Sequence, residues 1–297
     1  MIIDIHGDDY GYSLNTSKEI LDCMKQGCLD SISIICNTNG FEESIKLLYD
    51  AIPSLPFLPL ISVHINLPEG KGNILPLSWS KLFLSNSNIK EDLKKEIKIQ
   101  IDLVEEVIEH CIDIADKNNI KHTQKGLRID SHIHTHPIPI VWKSLIEVLQ
   151  EGKYNIEYIR NPKEPIIPFL KHFKLIPSYG LMNIVKNRIL MFYSRKIDKY
   201  CTNNKLDKMY MWGLTMSGHM DFDRIKVLYQ DMYDYALKHN RNLELLFHPG
   251  IGLKEEYSDE MNKEYFKNAN LSNNRNIEKE AVLRIKEIVR QLSDKEQ

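Results

Sequence analysis

Short runs of β-branched and aromatic residues alternate with longer amphipathic stretches along almost the whole chain. The short runs have the usual length of strands, and such alternation is typical of βα units around a parallel sheet. Strands are predicted at residues 2–5, 31–36, 61–67, 127–132, 156–160, 209–212 and 243–247. The amphipathic stretches predict helices at residues 14–25, 41–51, 89–116, 141–150, 184–200, 223–239 and 277–292. This pattern favours an α/β fold, an irregular (β/α) barrel with about seven parallel strands that forms a single domain over residues 1–297.

Three segments interrupt the alternation. Residues 67–87 contain proline and glycine and are too long for a simple turn between strand and helix, so we expect a lid or a binding wall there. Residues 161–178 hold four of the twelve prolines and are expected to be irregular. The polar residues 272–279 are predicted to form a solvated loop.

The composition is that of an ordinary globular chain rather than a disordered or fibrous one. Of 297 residues, 42% are apolar and 27% are charged, and 39 basic residues face 41 acidic ones for a formal net charge of −2. That balance provides no overall basic field to attract nucleic acid or anionic lipid. We therefore expect a neutral or weakly charged small molecule as partner, and neither nucleic acid nor a membrane, while a homodimer stays open.

The cysteines and the first residues predict a cytoplasmic protein. The 5 cysteines are odd in number and include no CxxC pair, so reduced thiols are the expected state. The chain reaches Asp4 at once and shows neither the basic segment nor the apolar run of a signal peptide.

Polar side chains collect where the predicted strands end, which is where reactive residues of (β/α) barrels lie. The segments are His6-Gly7-Asp8-Asp9-Tyr10-Gly11, His64, Asp130-Ser131-His132-Ile133-His134-Thr135-His136, Arg160 and His248-Pro249-Gly250. Each has a structural explanation of its own, but chance does not readily gather all of them at strand ends. Two imidazoles and one carboxylate leave coordination positions open for water, which is typical of a catalytic metal site.

Asp8 and Asp9 are adjacent carboxylates, and two such charges in a closed site require a cation or an arginine to offset them. Neighbouring residues of an extended chain point apart, so one carboxylate could ligate an ion while the other faces the attacking water. The alternative is a turn whose side chains cap the next helix.

His132, His134 and His136 are spaced by two and would share a face with Asp130 if the strand continued that far. Pro137 is expected to end the strand, so His136 could instead begin the loop. His64 lies in an otherwise apolar strand, where a hydrogen-bonded core histidine is the alternative, and His248 could be a simple turn residue.

Four blocks in order along the chain resemble the YdjC-like carbohydrate deacetylases, whose type member is the chitooligosaccharide deacetylase. Asp8-Asp9-Tyr10-Gly11-Tyr12-Ser13 is similar to the family's Asp-Asp-Phe-Gly-x-Ser opening, and Val63-His64-Ile65-Asn66-Leu67 to its Gly-x-His-x-x-Leu block. The segment that contains the three spaced histidines is similar to Asp-Ser-His-x-His-x-His, and His248-Pro249-Gly250 to the C-terminal His-Pro-Gly. The resemblance spans most of the chain.

The resemblance implies an irregular (β/α) barrel and metal-dependent hydrolysis of the N-acetyl group of an amino sugar or oligosaccharide, with release of acetate. It assigns Asp9, His64 and His132 as ligands of one divalent ion and Asp8 as the catalytic base. The family is commonly described with Mg²⁺, whereas imidazole ligands favour Zn²⁺, so both ions are candidates.

Amide hydrolysis suggests roles for two further residues. Arg160 is expected to keep Asp8 ionised. His248 ends the last strand, which would lie beside the first one in a closed barrel, so it is the candidate acid for the departing amine.

The same chemistry suggests contacts with the acetylated sugar substrate. His134 or His136 would bind the oxyanion or sugar hydroxyls, and Tyr10 and Trp212 offer apolar faces for a sugar ring. Two other readings remain open: a phosphoesterase or amidohydrolase barrel with two metals, and a sugar-binding protein without turnover.

Overall fold

The computed structural model describes residues 1–68, 77–85, 87–253, 256 and 271–293. Part of the predicted wall at residues 67–87, namely 69–76 and 86, lies outside the described residues. Among the helices that are described, none combines the length and apolarity needed to cross a bilayer.

One parallel sheet forms the centre of the described structure. Its strands are β1 (Ile3–Tyr10), β2 (Ser31–Ile34), β3 (Leu60–Ile65), β4 (Leu127–Ser131), β5 (Ile156–Ile159), β6 (Met209–Trp212) and β7 (Asn242–Phe247). The order across this 7-stranded sheet is β5-β4-β3-β2-β1-β7-β6, with every pair parallel. The predicted α/β architecture is confirmed, and β7 pairs with β1 as expected.

Helices follow most of the strands. They are α1 (Leu14–Lys25), α2 (Phe41–Ala51), α3 (Trp79–Leu84), α4 (Lys90–Lys117), α5 (Pro139–Gly152), α6 (Ile167–Lys171), α7 (Leu181–Asn203), α8 (Phe222–Lys238) and α9 (Asn274–Ser293). The short helices α3 and α6 fall inside segments that the sequence pattern left irregular. The predicted solvated loop at residues 272–279 is wrong, because α9 begins within it and carries buried side chains toward the sheet.

The two faces of the strands differ in polarity. The outward face is apolar and packs beneath the helices, with Ile5, Ile32 and Ile129 joining Ile20 and Leu228 in one buried cluster. The inward face is polar and buried, and alternate residues contribute Asp4, His6, Asp8, Ser31, Ser33, Arg128, Asp130 and Glu244. The period of two in a strand therefore places a dense set of charges inside the sheet.

The sheet curls but does not close by strand pairing, because β5 and β6 are its two edges. The chain after β5 bridges the gap: Met211 N donates to the Lys163 carbonyl at 3.1 Å. The buried Glu164 carboxylate then accepts hydrogen bonds from Gly213 N, Leu214 N and Thr215 N at 2.8 to 3.0 Å. These contacts fix the loop that follows β6.

The end of β1 departs from a regular strand. Its pairing with β2 shifts between Gly7 and Tyr10, and Asp9 has a positive φ of 73°. The sequence analysis expected the alternation of an extended strand to set the directions of Asp8 and Asp9. The backbone at Asp9 is not extended, so alternation does not set them. The irregular backbone brings both carboxylates to the cavity. Gly11 then turns the chain with a φ of 89°, at a position where a side chain would clash with the Ile35 carbonyl oxygen.

Candidate metal and catalytic centre

A cavity of about 270 Å³ opens at the carboxyl ends of the strands. It is lined by residues from β1, β3 and the segments after β4, β6 and β7, together with α7 and α9. The charged and imidazole side chains among the lining are Asp8, Asp9, His64, His132, His134, Lys186, His248, Arg275 and Glu278. A site at this end of the barrel was expected from the sequence.

Asp9, His64 and His132 each offer a ligand atom to one small volume, with all these atoms within 4.8 Å of one another. His132 Nδ1 lies 3.1 Å and His64 Nε2 lies 3.6 Å from Asp9 Oδ1. The rings of His64 and His132 meet edge to face, with centroids 5.6 Å apart. The three residues that the sequence suggested as ligands are thus neighbours in space.

Asp130 sets the orientation of the His64 ring. Strand register places these residues opposite each other on β3 and β4, and His64 Nδ1 lies 2.5 Å from Asp130 Oδ1. His64 Nε2 is left facing the cavity, buried, and without a hydrogen-bond partner among the described residues. A carboxylate on the far nitrogen of a histidine is the usual support of a metal-ligating imidazole.

This donor set fits a divalent cation. It supplies two imidazoles and a carboxylate, it is buried, and an orphaned ring nitrogen is aimed into it. Burial lowers the pKa of His64, but the carboxylates of Asp8 and Asp130 outweigh burial and raise the pKa to about 10. The negative charge around the ring would stabilise a cation in the same place.

Asp8 lies beside the three candidate ligands, and Arg160 binds it from the inward face of the sheet. Arg160 binds it with two parallel hydrogen bonds, Nη1 to Oδ2 at 3.0 Å and Nη2 to Oδ1 at 2.9 Å. Burial raises the pKa of Asp8, but the charges of Arg160, His64 and His6 outweigh burial and hold it well below the usual range. Asp8 is therefore an ionised carboxylate, as expected for a partner of Arg160.

Arg160 is fully buried and serves three carboxylates at once. Besides Asp8, its Nη2 lies 3.1 Å from Asp130 Oδ2 and its Nε lies 2.6 Å from Glu244 Oε1. The remaining Glu244 oxygen accepts a hydrogen bond from Tyr158 at 2.7 Å. One guanidinium therefore lies against three carboxylates, those of Asp8 on β1, Asp130 on β4 and Glu244 on β7.

Asp9 has an arginine partner that the sequence analysis missed. Arg275, in the first turn of α9, donates from Nη2 to Asp9 Oδ2 at 2.6 Å. Burial raises the pKa of Asp9, but Arg275 and His132 outweigh burial and hold it well below the usual range. Asp9 thus turns one oxygen to Arg275 and the other to the two imidazoles.

His248 stands at the rim of the same cavity. Gly7 pairs with Phe247, the last residue of β7, so the residue that follows lies beside Asp8, and His248 Nε2 is 4.0 Å from Asp8 Oδ2. Glu278 of α9 accepts from His248 N at 2.7 Å and lies 3.4 Å from His248 Nδ1. Burial raises the pKa of Glu278, but its contacts with His248 outweigh burial and lower it.

The histidine row does not lie on a strand. β4 ends at Ser131, residues 132–134 form a tight turn, and Ile133 and His134 have positive φ angles of 46° and 56°. His134 still reaches the cavity, and its Nδ1 is buried without a hydrogen-bond partner among the described residues. Burial, with Lys186 and Arg160 nearby, lowers the pKa of His134 well below its usual value, so the ring is neutral.

His136 does not line the cavity, so its expected contact with substrate is not supported. Its Nε2 donates to the Arg160 carbonyl at 2.8 Å, and its Nδ1 lies 2.6 Å from Ser131 Oγ. Burial lowers the pKa of His136 to about 4. The ring ties the turn after β4 to the end of β5.

Tyr10 and Trp212 are also displaced from the roles expected of them. Both rings are fully buried in the apolar cluster, and Tyr10 donates its hydroxyl to Ser44 O at 2.9 Å. Neither lines the cavity, so neither offers a face to a sugar. Trp212 occupies an outward position of β6, where it alternates with inward ones. Tyr10 would share the inward face with Asp8 by simple alternation, but the irregular backbone at Asp9 turns it outward.

Two polar residues of α7, Asn183 and Lys186, form a wall that the sequence analysis did not predict. Burial lowers the pKa of Lys186 to about 8. A spacing of three places both residues on one face of a helix, which is the only sign of a shared wall in the sequence. Nothing in the sequence indicated which helix lines the cavity. The alternation of Asp4, His6 and Asp8 along one strand was the signal for a polar inward face on β1.

Comparisons with known proteins agree with this architecture. A crystal structure from Enterococcus faecalis, described as a candidate cellobiose-phosphate cleavage protein, superposes with a TM-score of 0.55. The alignment covers 97% of this chain and 94% of that one at 17% identity, so the likeness concerns the fold alone.

Curated relatives match a shorter part of the chain. A carbohydrate deacetylase of Danio rerio is 23% identical over 191 residues, which are 59% of this chain and 53% of that protein. Another, of Thermoanaerobacter pseudethanolicus, is 28% identical over 166 residues, 55% of this chain and 62% of that protein. The matches therefore span between half and two thirds of these relatives.

The family model described as YdjC-like protein matches much more of the sequence. It covers residues 2–292, which include every strand of the sheet and every charged or imidazole residue that lines the cavity. The chain therefore belongs to the YdjC-like family.

Proposed function

We propose that this protein is a metal-dependent carbohydrate deacetylase that hydrolyses the N-acetyl group of an amino sugar or oligosaccharide and releases acetate. The observation that carries the proposal is the placement of Asp9, His64 and His132 around one point beside the ionised Asp8. A base next to an open metal site is the arrangement that amide hydrolysis requires.

The named relatives support the substrate class. The relatives from Danio rerio and Thermoanaerobacter pseudethanolicus are both called carbohydrate deacetylases. The cavity, of about 270 Å³, is also lined mostly by polar and charged residues, which could hydrogen-bond to sugar hydroxyls. Chitooligosaccharides are the first substrates to test.

Asp9, His64 and His132 would hold a single divalent ion. Bound there, the ion would polarise the acetyl carbonyl and lower the pKa of a coordinated water. Two imidazoles favour Zn²⁺ over Mg²⁺, which prefers oxygen ligands in an octahedral arrangement. Both ions belong in the assay.

Asp8 would remove the proton from the attacking water. Arg160 binds both carboxylate oxygens, and Oδ2 also faces His64 and His248 across 3.9 and 4.0 Å. The carboxylate is fixed by two parallel hydrogen bonds, so its direction is set before substrate arrives. Arg160 thereby acts as the positioning partner of the base.

His248 would protonate the departing amine. Its Nε2 lies 4.0 Å from Asp8 Oδ2, and its side chain is 25% exposed, which leaves room for a substrate nitrogen. Glu278 on its Nδ1 side holds the ring and leaves Nε2 toward the cavity. His134 and Lys186 would contact the oxyanion or sugar hydroxyls from the other wall.

A two-metal phosphoesterase site fits this interior less well. A second group of possible ligands consists of His6, Asp8 and Asp130. Arg160 Nη2 lies 2.9 Å from Asp8 and 3.1 Å from Asp130, so a guanidinium already offsets these carboxylates. A second cation there would meet its positive charge.

The deciding experiment is an acetate-release screen of the metal-loaded and metal-stripped protein. The substrates are N-acetylglucosamine, its oligomers, their phosphates and acetylated glycolipids. We expect acetate from at least one of these, with activity lost on metal removal and restored by Zn²⁺ or Mg²⁺. Full activity of the stripped protein, or release of phosphate without acetate, would refute the proposal.

A further inference from the structure

Two phenylalanines on neighbouring helices, Phe83 of α3 and Phe192 of α7, are exposed at the surface and pack against one tyrosine. Phe83 is 39% exposed and Phe192 is 62% exposed. Both rings meet the Tyr193 ring edge to face, with centroids 5.8 and 5.2 Å from it. A single exposed apolar residue is normal, whereas exposed apolar residues in contact with one another mark a binding surface. These three residues are referred to as the aromatic patch.

Helix α7 connects the aromatic patch with the cavity. The helix begins after Gly180, whose N donates to Thr215 O at 3.3 Å in the segment that follows β6. Lys186 lines the cavity, and Tyr193 follows it by seven residues, which is close to two helical turns. The two side chains therefore lie on the same side of α7, about 10 Å apart along its axis.

The chain after β3 brings Phe83 to the same end of the sheet. β3 carries His64, one of the candidate metal ligands. Leu77 N donates at 3.3 Å to the carbonyl of Leu67, which lies just after this strand. Helix α3 begins two residues beyond Leu77 and carries Phe83. Both helices of the aromatic patch thus start at the end of the sheet where the cavity opens.

The cavity alone is too small to enclose an oligosaccharide. Its volume is about 270 Å³, whereas pockets that enclose drug-sized ligands measure about 300–1,000 Å³. An oligosaccharide whose reacting sugar lies at the candidate metal ligands must therefore continue along the protein surface. The aromatic patch offers apolar ring faces there, of the kind against which a pyranose ring can stack.

Two cations beside the aromatic patch favour a sugar over an acyl chain. Lys196 Nζ lies 5.3 Å from the centre of the Tyr193 ring, and Arg195 Cζ lies 5.8 Å from that of Phe192. Their N–H groups can donate to hydroxyl oxygens at the rim of a sugar ring. An acyl chain has no acceptor for these donors.

We propose that the aromatic patch is a subsite for the sugar residues beyond the one at the candidate metal ligands. Phe83 and Phe192 present ring faces to these sugars, and Tyr193 holds both rings in place. Lys196 and Arg195 donate to sugar hydroxyls. The proposal rests on the proposed function for the position of the reacting sugar, but binding at the aromatic patch is measurable without hydrolysis.

Calorimetry with glucosamine and its β-1,4-linked trimer tests the subsite, because neither ligand has an acetyl group to be hydrolysed. The wild-type protein is expected to bind the trimer more tightly than the monomer. Phe83→Ala should weaken binding of the trimer roughly 3- to 10-fold, as for the loss of one aromatic contact, and should not weaken binding of the monomer. Phe83→Tyr keeps the ring and should bind the trimer like the wild type.

Leu237→Ala is the matched control, because it removes an exposed apolar side chain near the end of α8, at the opposite end of the sheet. It should bind both ligands like the wild type. If Phe83→Ala does not fold, Tyr193→Ala is expected to show the same selective loss for the trimer. An unchanged affinity for the trimer in the folded variant would contradict the proposal.

Two further results would overturn the proposal. One is a wild-type protein that binds the trimer no better than the monomer, and the other is an equal loss for both ligands in Phe83→Ala. Octyl glucoside distinguishes an acyl chain: if Phe83→Ala weakens its binding but not that of the trimer, the occupant is wrong. Selective loss of the trimer in a protein that releases no acetate from any substrate would refute the proposed hydrolysis and support the subsite.

Discussion

Arg275 Nη2 lies 2.6 Å from Asp9 Oδ2 and joins residues 266 positions apart in the chain. The contact ties the first turn of α9 to the end of β1. The two charges are buried together, and Asp9 is also a member of the candidate metal group. The C-terminal helix is therefore part of the site.

Arg275→Gln should destabilise the metal-free protein by about 3 kcal/mol, because it leaves the Asp9 carboxylate buried without its guanidinium partner. Added metal should recover more stability in the variant than in the wild type, since a cation would compensate Asp9 in its place. Chemical unfolding with and without Zn²⁺ measures both effects.

The control for this substitution is Arg188→Gln, which removes an exposed arginine of α7. It should change stability by less than about 0.5 kcal/mol. Equal destabilisation of Arg275→Gln with and without metal would show that Asp9 does not bind the ion.

The fold was largely predictable from the sequence because strand and helix periods are local signals. Helices α1 and α2 coincide with their predicted ranges, whereas β1 runs to Tyr10 instead of ending at residue 5. The polar residues after position 5 suggested a strand end, but they continue the strand along its inward face. The predicted end of β1 was based on where its apolar residues stop, and the strand continues with polar residues because its inward face is polar.

The site was predictable where its residues belong to strand ends and not where helices supply them. Asp8, Asp9, His64, His132 and His248 lie together as expected. Arg275 and Glu278 come from α9, whose approach to β1 depends on how the helix packs rather than on any motif. Tyr10 and Trp212 were misplaced because an aromatic residue near a strand end can face either side of the sheet.

Metal binding should release one proton, because His64 has a pKa of about 10 in the metal-free protein and a ligating imidazole must be neutral. The raised pKa keeps the ring protonated at neutral pH. Affinity should therefore increase up to tenfold per pH unit as the pH rises toward about 10. Calorimetry in buffers of different ionisation enthalpy counts the proton, and no buffer dependence would contradict the prediction.

His248→Gln should impair amide hydrolysis much more than ester hydrolysis. An amine leaves poorly without a proton, whereas an activated ester with a good leaving group scarcely needs an acid, so a loss of roughly 100-fold or more is expected for the amide alone. Parallel assays on an N-acetyl sugar and an activated acetyl ester measure the difference. Equal losses on both substrates would assign His248 another role.

Glu164→Gln should destabilise the fold by about 2–3 kcal/mol, because its amide group would face backbone donors that now bind a carboxylate. The carboxylate accepts from the backbone of Gly213, Leu214 and Thr215 and so anchors the loop after β6. Thermal or urea unfolding measures the loss, with the exposed Glu109→Gln as control. Equal stability of the two variants would mean that the bridge across the sheet gap contributes little.

On the proposed function, Asp9 holds the metal and Asp8 moves the proton, although the two residues are adjacent. Metal content and acetate release of Asp8→Asn and Asp9→Asn, measured side by side on the same substrate, separate the two roles. Asp9→Asn should bind the ion weakly. Asp8→Asn should keep its metal and fold while its turnover falls by roughly two to four orders of magnitude. Equal loss of metal in both variants would show that the two carboxylates chelate the ion together, and the division of roles would be wrong.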